Sequence, residues 1–140
     1  MADYLDVLSE FAVSTKLADI PASVVERAKL IFADLLAVIA AGMQEPEMKA
    51  LADRQLTDVA PGRASVVGSA RRCNPLDAAL MNATAGVWLE LDEGNFNTNG
   101  HPGVHVIPAA LAHAQQYGIR GADFLAAVAV GYEVCGRIGG

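Results

Sequence analysis

Between Ala28 and Gly42 the chain carries only two charged residues, Lys29 and Asp34, and every other position is apolar or glycine. A helix with so little polar surface belongs in the interior of a protein rather than on its outside. It opens at Ile20-Pro21-Ala22-Ser23, where proline suits the first helical turn, and stops near Gly42. A membrane span is not the reading. The best uninterrupted apolar runs, Leu35 to Ala41 and Phe124 to Tyr132, are each about half of the ~20 residues a bilayer requires.

Composition supports a helical interior. The 140 residues are 53% hydrophobic and 19% charged, which excludes disorder and suggests one domain. Aromatics at 6%, with alanine abundant, favour closely packed helices over a β-sandwich. The net charge of −6 argues against nucleic acid or an anionic membrane as partner, because both demand a basic face. Mean hydropathy is nonetheless positive, at +0.31. A chain this small with that balance is expected to cover apolar surface against something beyond its own core. The acidic start, with Asp3 and Asp6, is unlike a secretory signal. Cys73 and Cys135 form no CxxC pair, so both are expected reduced and buried, in a cytoplasm.

Helical spacing of Tyr4, Leu5, Val7, Leu8, Phe11 and Ala12 predicts a first helix over about 3–15. A short amphipathic helix follows from Pro46 to about Leu56. Residues 58–74 read as a linker or small hairpin, with Pro61-Gly62 as a turn and 64–68 as a brief β-like run. Asn74-Pro75 starts the next helix, Asn as cap and Pro in the first turn, and the apolar pattern carries it to Leu91. After a Gly/Asn/Pro-rich loop between Glu93 and His105, helices are predicted over 106–116 and 123–137. Gly131, inside the last of these, reads as a point of close helix packing. The fold class is all-α, with at most one short β-like segment near 64–68.

Chemistry concentrates after the fourth helix. No Asp, Glu, Lys or Arg occurs from Gly94 to Ile119, and all three histidines, His101, His105 and His113, fall in that stretch. Just before it stands Glu90-Leu91-Asp92-Glu93, expected at a helix C-terminus. That is the unfavourable end for negative charge, by a few tenths to about 1 kcal/mol per exposed group. Glycines frame His101-Pro102, and proline fixes the residue that follows the imidazole. A histidine held this way near a helix start suits general acid–base work. Its plainer role is to cap the following helix. His105 is a weaker candidate, and His113 sits on the face of Leu111 and Ala114. A metal site built from His101, His105, Glu90, Asp92 and Glu93 is disfavoured because Pro102-Gly103 separates the histidines. The remaining glycines and serines match neither a phosphate loop nor a nucleophile elbow. Glu133 and Arg137 are spaced for an i,i+4 ion pair.

Several blocks, in order, resemble the MmgE/PrpD family. They are Ile20-Pro21 with Asp34-Leu35-Leu36, Asn82-Ala83-Thr84-Ala85, Leu89 to Gly94, and Gly100-His101-Pro102-Gly103. Ile107-Pro108-Ala109-Ala110-Leu111-Ala112, Gly121 to Ala127, and Gly131-Tyr132-Glu133-Val134 with Arg137-Ile138 continue the match. That family includes 2-methylcitrate dehydratase, cis-aconitate decarboxylase and iminodisuccinate epimerase. The resemblance implies a helical large domain, a separate α/β lid, a homodimer, and lyase or isomerase chemistry on small polycarboxylates without metal or cofactor. It maps the loop histidine to His101 and the acidic helix end to Glu90, Asp92 and Glu93. It thus implies His101, Glu90 and Asp92 as catalytic, and Asn95, Glu93 and His105 as substrate-binding.

Two departures stand out. Glu90 replaces an Asp, and Gly94 or Asn95 stands where some members have a substrate-binding Thr. Family lysines come from later segments. Residues 1–140 are therefore expected to be the N-terminal part of the helical domain, with the lid absent and the remainder of the enzyme as partner. The alternative is a non-catalytic helical assembly or binding module that retains only the dimerisation surface.

Overall fold

A computed structural model describes residues 3–139. Six helices carry the described chain: α1 (Tyr4–Ser14), α2 (Ala22–Gly42), α3 (Pro46–Gln55), α4 (Pro75–Val87), α5 (Pro102–Tyr117) and α6 (Gly121–Gly139). A 3-10 turn at Leu17–Asp19 joins α1 to α2. A two-stranded antiparallel hairpin, β1 (Ala64–Ser65) with β2 (Arg72–Cys73), stands between α3 and α4. The all-α reading holds, and the β-like segment becomes one arm of this hairpin. No helix among the described residues is long and apolar enough to cross a membrane.

The core forms where α2, α4, α5 and α6 meet. Leu35 and Ile39 of α2, Met81 and Ala85 of α4, Val104 and Ile107 of α5, and Phe124 and Val128 of α6 are buried together. Small residues let the backbones approach. A Cβ on Gly42 would lie 2.1 Å from the Ala85 carbonyl oxygen, so α2 and α4 touch main chain to main chain there. A Cβ on Gly131 would meet Val106 Cγ1 at 2.6 Å, the close α5–α6 packing its sequence position suggests. The Phe32 and Phe124 rings meet edge to face with centroids 4.9 Å apart.

Three side-chain amides bind the hairpin to this bundle. Asn82 of α4 is fully buried; its Oδ1 accepts from the Val67 N–H at 2.9 Å and its Nδ2 donates to the Ser65 carbonyl at 3.0 Å. From α5, Gln115 Oε1 accepts from the Ser65 N–H and Gln116 Oε1 from the Arg63 N–H. A strand pair this short cannot stand alone, so these bonds are what give it a place. The ion pairs Arg71–Asp53 and Arg137–Glu133 lie at the surface and add a few tenths of a kcal/mol each.

The sequence expectation for α2 needs correction. Only Ala28, Leu35, Val38, Ile39 and Gly42 are buried, while Leu30 is exposed; one face of the helix is open. Open apolar positions recur on α4, where Leu76, Leu80 and Val87 are exposed, and just beyond it at Trp88 and Leu91. The two cysteines also differ. Cys135 is only half-buried, whereas Cys73 is buried in the hairpin. Burial, followed by the nearby Asp77 carboxylate, raises the Cys73 thiol above its ordinary range. At pH 8, Cys73 in the folded chain should react with iodoacetamide about tenfold or more slowly than in the urea-unfolded chain, as read by mass spectrometry. Equal rates would mean that the hairpin does not shield it.

Candidate active site

The site is assembled by the stretch between α4 and α5, resting on α6. Helix α4 ends at Val87, four residues short of the predicted Leu91, with Trp88 as its C-cap. Glu90 has φ +53°, a left-handed backbone that no helix continues, and its N–H bonds back to the Val87 carbonyl. The acidic cluster therefore lies just outside α4, beyond its C-terminal turn. Helix α5 also begins at Pro102 rather than 106, with His101 as N-cap and Pro108 inside the helix. The reason is electrostatic. Glu93 Oε1 accepts from the Gly103 N–H at 2.5 Å, placing a carboxylate on the positive end of α5.

The loop 94–100 is closed by a single bridge, in which the Asn95 N–H donates to the Gly100 carbonyl at 2.9 Å. Inside it, Asn95 Oδ1 accepts from the Asn97 N–H, and the Thr98 hydroxyl donates to the Asn95 carbonyl. The loop lies against α6 so closely that a Cβ on Gly136 would come within 2.9 Å of Thr98 Cγ2. Tyr132 of α6 joins this floor to the loop. Its hydroxyl donates to Glu93 Oε2 at 2.9 Å and accepts from Asn95 Nδ2 at 3.3 Å. Burial raises the Tyr132 phenol above its ordinary range, Asn95 opposes that, and Glu93 adds to it, so the phenol remains a donor at neutral pH.

His101 and Asp92 meet at the mouth of this structure. His101 Nδ1 lies 3.2 Å from Asp92 Oδ2; the imidazole is half-exposed, whereas the Asp92 side chain is only 3% exposed. The approach is an ion-pair distance without the alignment of a hydrogen bond, so Asp92 Oδ2 has no hydrogen-bond donor among the described residues. A proton on the Nδ1 that faces this oxygen would leave the Nε2 lone pair free. The ring lines an open depression of about 490 Å³ formed with Gly94, Asn95, Phe96, Asn99 and Gly100. No cation lines it.

Of the residues read from sequence, Asp92, Glu93, Asn95 and His101 come together here. Glu90 and His105 are exposed, and no hydrogen bond or ion pair among the described residues joins them to the cluster. His113 stacks on Tyr117 at 4.6 Å on the outer face of α5. Among the described residues, no group of three His, Cys, Asp or Glu side chains could hold a metal ion. Tyr132 was not singled out from sequence, although a phenol inside the apolar stretch of α6 needs a partner when buried.

A profile of the MmgE/PrpD N-terminal domain matches residues 6–140. The chain belongs to the MmgE/PrpD family. Its curated relatives include the cis-aconitate decarboxylase-like protein oryM of Aspergillus oryzae, 34% identical across 94% of this chain and 29% of that protein. The cis-aconitate decarboxylase of Aspergillus terreus is 30% identical across 86% of this chain and 26% of its own length. The chain thus spans less than a third of these MmgE/PrpD proteins. No solved structure matches it significantly.

Proposed function

We propose that this chain contributes the histidine–carboxylate half of an active site that moves a proton beside a carboxylate of a small polycarboxylate. The observation that carries the reading is the His101–Asp92 contact at the edge of an open depression. In it, His101 is the general acid or base and Asp92 holds its tautomer, while Glu90 and His105, exposed beside the loop, are available to substrate. Asn95 borders the depression directly, and Glu93 contributes by fixing the α5 end.

The reaction is a metal-independent lyase or isomerase step. The relatives' names favour a cis-aconitate-like tricarboxylate; the 2-methylcitrate dehydratase-like reaction rests on the family resemblance alone. Cations that neutralise such a substrate come from segments outside the matched stretch and from a dimer, in the cytoplasm. Each charge-assisted contact of that kind contributes about 1.5–3 kcal/mol.

The test is the complete enzyme, or this chain complemented with the segments its relatives carry beyond the match, incubated in D2O with cis-aconitate, 2-methylcitrate and iminodisuccinate. Proton NMR should show product, or deuterium at the carbon beside a carboxylate, for at least one of them. An assembled protein that turns over none would end this reading. It would favour the helical assembly module instead, a role to which the exposed Leu76, Leu80 and Leu91 are suited.

A further inference from the structure

The Tyr132 hydroxyl of α6 bonds Glu93, whose other oxygen holds the first turn of α5, and Asn95 at the start of the loop. Beyond the acid–base pair itself, we infer that Tyr132 is a positioning residue that sets His101 against Asp92 by locking the Glu93 carboxylate between α6 and the first turn of α5. The inference rests on the reading of His101 as the proton-transfer group.

Both Glu93 oxygens are committed. Oε1 accepts from the Gly103 N–H and Oε2 from Tyr132, so the carboxylate cannot turn without breaking two bonds. Those bonds flank the pair: Glu93 follows Asp92 directly in the chain, and Gly103 lies two residues after His101. The separation of the two flanks is therefore set by one carboxylate. Gly103 confirms how tight the clamp is, because a Cβ there would lie 2.6 Å from Glu93 Oε1. On the loop side, Tyr132 also takes the Asn95 amide, whose own carbonyl oxygen is held by the Asn97 N–H. One phenol thus fixes the residue before the loop and the first turn of the loop together. Charge-assisted bonds of this kind are the stronger class, and their geometry is specific. The Tyr132 ring lies on the α6 side, so removing its oxygen leaves the packing of the ring in place.

The test is Tyr132→Phe in this chain, with helix content checked by circular dichroism. Two signals are read by NMR: hydrogen exchange of the Gly103 amide and the imidazole ¹⁵N shifts of His101. The Gly103 amide should exchange about tenfold faster, the loss expected for one charge-assisted bond. The His101 ¹⁵N shifts should move from a pattern dominated by the Nδ1–H form toward a mixture. Glu93→Gln keeps the side-chain shape but leaves one acceptor oxygen for two donors, and should change both signals in the same direction. It serves as the second variant should Y132F lose helix content.

Unchanged exchange and unchanged ¹⁵N shifts in folded variants would overturn the inference. Faster Gly103 exchange with an unmoved His101 pattern would overturn it too, since that is what a purely structural tyrosine would give. Failure of the catalytic reading is separable. Altered NMR signals in Y132F, together with full turnover in a His101→Gln enzyme, would keep the clamp and remove the proton-transfer role.

Discussion

Replacing His101 with glutamine should lower kcat by about 10²-fold or more in the assembled enzyme, with KM changing far less. Glutamine keeps a similar length and can still donate and accept hydrogen bonds at the mouth of the depression. It cannot take up and release a proton, so the variant isolates that step. A positioned acid or base contributes roughly 10²–10⁴ in rate, equivalent to about 2.7–5.5 kcal/mol of barrier. Asp92→Asn should lose a large part of the same factor. The amide presents a donor as readily as an acceptor to the imidazole, and the 3.2 Å contact no longer selects Nδ1–H. Because the two residues act as one unit, the double variant should be little worse than His101→Gln alone. Steady-state kinetics on the three variants decide the matter. Unchanged turnover in His101→Gln would leave the loop histidine as a helix cap and nothing more.

How much of this was legible in the sequence depends on how local the causes are. The start of α4 was readable because Asn74 caps it through its own side chain, accepting from the Leu76 and Asp77 N–H groups. Both ends of α2 and the start of α3 were readable from equally local signals, Pro21, Gly42 and Pro46. The end of α4 was not, and at the start of α5 the apolar period, which sets in only near Val106, outweighed the signal of Pro102 in the first turn. Leu89 and Leu91 continue the apolar period, yet Glu90 takes a left-handed backbone, and α5 begins early because a carboxylate ten residues upstream caps it. No window of local periodicity contains that bond.

The same distinction divides the candidate site. His101 and Asp92 stand out from composition and motif order, since one is framed by glycine and the other sits in the acidic cluster just before an uncharged stretch. Tyr132 does not stand out, because its partners Glu93 and Asn95 are 39 and 37 residues away and meet it only when α6 packs beneath the loop. The surplus of apolar residues was legible as a quantity but not as a place. It emerges at Leu30 on α2 and at Leu76, Leu80 and Val87 on α4, faces that these helices do not turn into their own core.

Asn82 is the buried polar residue that ties the bundle to the hairpin. Asn82→Ala should destabilise the chain by roughly 2–4 kcal/mol, because it leaves the Val67 N–H and the Ser65 carbonyl without their partner and opens a void beside α4. Urea unfolding should show a lower midpoint with little change in slope, the signature of lost stability rather than an altered native state. The melting temperature should fall by something on the order of 10 °C. Asn82→Asp separates hydrogen bonding from packing, since volume is conserved. The ionised aspartate accepts from Val67 but cannot donate to Ser65, and its charge is fully buried. Protonated, it regains the donor. Its pKa in the folded chain should therefore rise above the unfolded value, so that the variant is least stable at neutral pH and recovers part of the loss as pH falls toward 4. A loss under about 0.5 kcal/mol for Asn82→Ala would place it among ordinary surface substitutions and show that the glutamines of α5 hold the hairpin without it.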